Sequence, residues 1–271
     1  MKIVTKKSNV TRLRPAKAKL KAVRNRIDAA EWKARVELAA AYRLTALMGW
    51  TDMIGTHISC RVPGTHDQFL LNPYGMLFEE ITASSLIKVD VDGNKLSESP
   101  YQVNQAGFTI HSAIHMGNHN ADAVMHLHTA YGVGVATQKQ GLLPVTQMSL
   151  TAMNLVRYHD YEGVAFDLTE RERLVKALGD GGMLILRNHG TLTVGETVGV
   201  AFVTMYFLET ACQVQIAALS GELHYPPQAA RDAVARTTGA GREFQIAKYA
   251  EENAWPALLR RLDRLDPGYK A

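Results

Sequence analysis

A chain of 271 residues, 46% hydrophobic and 21% charged, can bury one large core without dividing into two domains. Two cysteines, Cys60 and Cys212, exclude a disulfide framework, and no apolar run reaches the roughly eighteen residues of a spanning helix, so a cytoplasmic protein is expected. The net charge of +4 is uneven, since residues 1–27 hold ten Lys and Arg and no acid, leaving 20 bases against 26 acids beyond them.

That asymmetry separates a basic arm (1–27) from a body (28–224) and a charged, helical C-terminal tail (225–271). The arm has one Pro and no aromatic residue to stack on bases, so a nucleic-acid partner is not expected and the arm reads as a solvated tail. The body opens at Asp28-Ala29-Ala30-Glu31, a capping box. The helix it starts runs to about residue 48, with Trp32, Val36, Ala40, Leu44 and Leu47 on one face. Short strands over 57–62 and 68–71 flank the turn Pro63-Gly64, and a strand over 86–91 ends in the hairpin turn Asp92-Gly93. A helix over 105–116 precedes an apolar strand ending in His126-Leu127-His128, and another helix opens at Thr129. A second capping box, Thr169-Glu170-Arg171-Glu172, starts a helix that leads through glycines 179, 181 and 182 to the strand ending at His189. The longest apolar stretch, 198–208, is interrupted by Thr204 and stopped by Glu209, inside a buried helix spanning 196–219. Helix returns over 246–262, broken or restarted at Pro256. Alternating elements with hairpin turns predict α/β architecture, helices packed on a mixed or antiparallel sheet.

The chemistry sits in the histidines. Side chains at i and i+2 of a strand share a face, so His126 and His128 can converge on one point. His189, from a neighbouring strand end, completes a three-nitrogen site. Catalytic metal sites keep three protein ligands and leave the next position to water or substrate. A lone His on an apolar face is more often a packed core residue, and His66, His119, His159 and His224 read as surface residues.

Val124-Met125-His126-Leu127-His128-Thr129 with Leu186-Arg187-Asn188-His189-Gly190 resembles the class II aldolase/adducin family. The segments Asn72-Pro73-Tyr74-Gly75, Val103-Asn104-Gln105-Ala106-Gly107-Phe108 and Gly141-Leu142-Leu143-Pro144 extend the resemblance over about residues 31–219, closer to the adducin-like branch than to the sugar-phosphate aldolases. It implies a three-layer α/β/α domain on a central, mainly antiparallel sheet, and a homotetramer with metal sites near subunit interfaces. By position it makes His126, His128 and His189 the ligands of a divalent metal, zinc in the first place, with iron and manganese as alternatives.

Departures from the family bear on substrate. Its phosphate- and proton-handling Ser-Ser-Glu triplet falls at Gln105, Ala106 and Gly107, its Gly-Asn phosphate loop at Thr56-His57, and its tyrosine proton donor near Met148. Phosphate needs backbone nests, hydroxyls or basic groups, so a phosphosugar is not expected. The expectation is instead a metal-dependent lyase acting on a small carboxylate, a non-phosphorylated hydroxy or keto acid, by aldol-type cleavage or decarboxylation through a metal-stabilised enolate. Gly107 then leaves room for the ligand, with His57 and Gln105 as further substrate contacts. His111 and His115, one and two turns beyond Gly107, are the catalytic acid/base candidates. Two other readings stand beside this one: a three-His iron oxygenase, and an adducin-like binding module without catalysis.

Overall fold

The computed structural model describes residues 27–118, 121–163, 169–239, 241–242 and 244–271; the basic arm to residue 26, His119, and the side chains of Gln105 and Ala106 lie outside that description. The strands are β1 (His57–Arg61), β2 (Gln68–Leu71), β3 (Ile87–Asp90), β4 (Ala123–Leu127), β5 (Val156–His159), β6 (Met183–Leu186) and β7 (Gly190–Gly195). They form one sheet in the order β3-β2-β1-β4-β7-β6-β5. Neighbours run antiparallel except β5 and β6, which pair in parallel. The helices are α1 (Ala29–Leu47), α2 (Gln105–Gly117), α3 (Ala130–Ala136), α4 (Gln147–Met153), α5 (Glu170–Leu178), α6 (Val198–Ala218), α7 (Gln228–Thr237), α8 (Ile246–Tyr249) and α9 (Trp255–Leu265).

The period of two along β4 sorts its residues between two layers of helix. Ala123, Met125 and Leu127 pack with Leu38 and Leu44 of α1 and Phe202 and Met205 of α6. Val124 turns the other way, to Ile110 and Ile114 of α2 and Leu174 and Leu178 of α5. The architecture is therefore the expected three-layer α/β/α, and His126, two residues from Val124, belongs to the α2 side. Cys60 and Cys212 are both buried, and burial pushes the Cys60 thiol up to about 12.

Local signals in the sequence account for most element boundaries. Asp28 Oδ1 accepts the Glu31 amide at 2.8 Å and starts α1. The second half of that capping box is redirected: the Glu31 carboxylate pairs with Arg35 Nε at 2.8 Å and Lys88 Nζ at 2.9 Å. The buried Arg35 continues to Leu86 O at 2.8 Å, tying α1 to the start of β3. By length and composition α6 could cross a membrane, yet 67% of its apolar window is buried in the protein, as suits a core helix. At the C-terminal end a turn of π-helix, Ala250–Ala254, precedes Pro256, and α9 restarts at Trp255. Trp255, Leu262 and Tyr269 then enter the same core as Leu38 and Phe202, so residues expected as a tail are packed into the body.

Candidate metal centre

His126 is the penultimate residue of β4 and His128 follows one residue beyond its end. Their side chains converge as the strand period requires, with the two Nε2 atoms 2.9 Å apart. Each ring is held from behind through its other nitrogen. His126 Nδ1 lies 3.0 Å from the Thr191 carbonyl of β7, and His128 Nδ1 lies 3.0 Å from an Asp52 carboxylate oxygen. A carbonyl and a carboxylate can only accept, so both Nδ1 atoms carry hydrogen, and in the neutral rings that bind a metal both Nε2 atoms present lone pairs to one another. Two lone pairs at that distance repel unless a cation lies between them. Carbonyl or carboxylate support behind a histidine is also the usual outer partner of a metal ligand.

The third histidine comes from the short loop joining β6 to β7. Leu186 and Gly190 are paired across it, leaving Arg187, Asn188 and His189 to make the turn. Asn188 takes the left-handed conformation, at φ 57°, which Asn tolerates better than most residues. The Arg187 amide donates to His159 O at 2.8 Å and the Asn188 amide to Ala136 O at 3.2 Å, pinning the loop to β5 and α3. One ligand nitrogen from each of His126, His128 and His189 then lies within 4.8 Å of the others. Gly190 permits this approach: a Cβ there would stand 2.4 Å from Leu127 O and 3.0 Å from His128 Cδ2.

Burial first, and neighbouring imidazoles second, hold His126 well below the usual histidine range. The same causes, with His128 and His159 as the neighbours, push His189 down to about 4. Both rings are neutral near pH 7, the state in which an imidazole binds a metal. Three imidazoles, two of them fixed to point Nε2 at a common place, are a donor set that fits zinc or another divalent first-row ion.

His57 stands directly opposite His126 in the β1–β4 ladder, and the two ring centroids are 5.0 Å apart. A Cβ on Gly107 would meet His57 Cδ2 at 2.5 Å and Nε2 at 2.8 Å, so the space expected for a ligand at Gly107 is occupied by the His57 ring. His111 reaches that ring, Nε2 to His57 Nδ1 at 2.7 Å, and so stands behind His57 rather than beside the three ligands. His115 is further back, stacked on Phe69 at 4.6 Å between centroids and bonded to Ser59 and Ala121 O. Gln105 opens α2 two residues before Gly107. His159, expected at the surface, is instead buried beside the Glu170 carboxylate at 3.3 Å, with its backbone carbonyl holding the His189 loop through the Arg187 amide.

Asp52, Ser59 and Thr191 were not singled out by sequence reasoning. Ser59 was within its reach, being two residues from His57 on the same strand face. Asp52 belongs to an irregular loop and Thr191 acts through its backbone carbonyl, so neither leaves a side-chain pattern. A larger cavity of about 600 Å³ opens beside Cys60, Arg61 and Asp122, at the opposite end of β4 from the histidines.

The family profile described as Class II Aldolase and Adducin N-terminal domain matches residues 36–216. An aldolase II superfamily protein from Pseudomonas syringae has a similar structure, with a TM-score of 0.84 and 48% identity covering 92% of this chain and 99% of that one. An L-fuculose 1-phosphate aldolase from Glaciozyma antarctica gives a TM-score of 0.78 at 27% identity, covering 90% of this chain and 94% of that one. Alpha-adducin of Rattus norvegicus is 37% identical over 259 residues, which are 90% of this chain and 34% of that protein.

Proposed function

Because the chain belongs to the class II aldolase and adducin family, we propose that it is a metal-dependent carbon–carbon lyase. Its substrate would be a non-phosphorylated hydroxy or keto acid, cleaved in the aldol sense or decarboxylated. The observation that carries this reading is the pair of lone-pair nitrogens, His126 Nε2 and His128 Nε2, aimed at each other 2.9 Å apart with His189 beside them. When bound there, a divalent ion such as zinc supplies Lewis-acid polarisation of a substrate carbonyl. Thr191 O and Asp52 keep His126 and His128 in the tautomer and orientation the ion needs. The buried wall formed by His57 and Gly107 excludes water from one side of the centre.

The acid is preferred over a phosphosugar because the positions matching the family's phosphate serines carry Gln105 and Ala106. The Glaciozyma protein, by its name, acts on a sugar phosphate, and its likeness supports the lyase class without extending that substrate to this chain. On the same family reading the working form is a cytoplasmic homotetramer. The groove of about 550 Å³ beside Tyr206, Phe207, Tyr249 and Leu258 offers an apolar face for subunit contact.

The test is elemental analysis of protein purified without added metal, followed by aerobic and anaerobic assays on hydroxy acids, keto acids and sugar phosphates. About one divalent ion per chain is expected, absent from the His126→Ala/His128→Ala variant, with anaerobic turnover of an acid. Full metal retention by the double variant removes the site assignment. Iron with oxygen-dependent turnover replaces the lyase by an oxygenase, and bound metal without turnover leaves a binding role of the adducin kind.

A further inference from the structure

Behind the metal centre a line of four side chains runs from β1 into α2, and its hydrogen bonds have only one consistent direction. The line ends at the Ala121 carbonyl, 2.7 Å from His115 Nδ1. A carbonyl only accepts, so His115 carries its hydrogen on Nδ1, and its Nε2 is an acceptor in the neutral ring. Ser59 Oγ, 2.7 Å from that Nε2, must spend its single proton there. The Ser59 oxygen can then only accept from its other partner, His111 Nδ1. His111 Nε2 is left with a lone pair, which the His57 Nδ1–H fills at 2.7 Å. The remaining nitrogen, His57 Nε2, keeps its lone pair on the side of Gly107, with the ring against His126. All three rings are buried, His57 at 3%, His111 at 2% and His115 at 1% exposure, which disfavours the charged form and keeps them neutral, as the direction of the line requires.

We propose that Ser59, His111 and His115 are positioning residues that lock His57 in its Nδ1–H tautomer, so that Nε2 stands at the wall of the centre as a neutral acceptor and selects ligands bearing a hydroxyl. A hydroxyl next to a metal-chelating carboxylate satisfies that acceptor. A keto oxygen, a carboxylate or a phosphate brings only further lone pairs to it. Within the lyase reading, on which this selection rests, the substrate class narrows to acids that bear a hydroxyl as well as the carbonyl that the ion would polarise. The placement also explains why position 107 has no side chain: the imidazole that makes the selection fills that space.

Two measurements on the full-length, zinc-loaded protein test this. In magic-angle-spinning ¹⁵N spectra of histidine-labelled protein, His57, His111 and His115 should each be protonated at Nδ1, with the His57 signals identified by their loss in His57→Ala. Ser59→Ala should let His57 populate the Nε2–H form. In calorimetry, lactate and mandelate should bind wild type about ten-fold more tightly than pyruvate and phenylglyoxylate, the size expected for one buried hydrogen bond. Ser59→Ala should erase most of that preference while zinc stays bound. An Nε2–H tautomer at His57 in wild type overturns the proposal, whether or not Ser59→Ala folds and whether or not any acid binds. The expected tautomers with equal binding of the paired acids overturn the selection. The expected tautomers with neither acid bound support the lock and overturn the substrate reading on which the selection rests.

Discussion

Gly190 shows how a residue without chemistry of its own holds a centre together. It starts β7, yet its main task is steric: the chain passes so close to Leu127 O that a methyl group would sit 2.4 Å from that oxygen. The backbone of one strand or the other would have to move, and His189 is the immediate neighbour that moves with it. Overpacking of this kind costs about 1–3 kcal/mol. Gly190→Ala should therefore fold with a lowered melting temperature and bind zinc at least ten-fold more weakly, as read by competition with a chromogenic chelator. Unchanged zinc affinity would mean that His189 is not held by this contact. Gly107 is the counterpart on the other wall, where a side chain would strike the His57 ring instead of backbone. Restoring a glutamate there would displace that imidazole rather than fill an empty space.

Among the elements, β4 was legible in both extent and role, and α2 in extent but not in what its histidines meet. The alternation in Val124-Met125-His126-Leu127-His128 predicts both the buried strand and the convergence of its histidines, because side-chain direction in a strand depends on sequence position alone. Helix starts were legible for a similar local reason, as the Asp28 cap on Glu31 shows. His111 and His115 were correctly placed on a helix, and helical spacing brought both to one face. What that face meets depends on the register of β1 against β4, which sets His57 opposite His126 and Ser59 opposite Val124. Register comes from long-range pairing, so the row from His57 to His115 could not be read from any single segment. His159 was misread for the same reason: its burial comes from α5 bringing Glu170 across it.

For the whole molecule, four buried histidines and the half-buried His189 make acid stability the clearest prediction. His57, His111, His115, His126 and His189 all have their affinity for protons lowered, chiefly by burial, with His189 at about 4 and His115 at about 3. The unfolded chain binds protons at these sites near pH 6.5. Their contribution to stability is therefore complete above about 6.5 and declines as pH falls from there, the share of His189 running out near 4 and that of His115 near 3. The urea midpoint of metal-free protein should fall steadily between pH 7 and 4.5; a flat profile would contradict the buried neutral rings. A different kind of clock lies in the same sheet. Cys60 is one residue from Ser59, on the opposite face of β1, and its thiol is buried, at 4% exposure, and pushed up to about 12. A maleimide should react with a thiol this buried fastest during moments when the strand is open, so a change in its alkylation rate tracks those moments. Zinc held by the proposed ligands His126, His128 and His189 would tie β4 to the loop and should lengthen the interval between them, making a cysteine with no part in the proposed chemistry a timer for how firmly such a metal closes the fold.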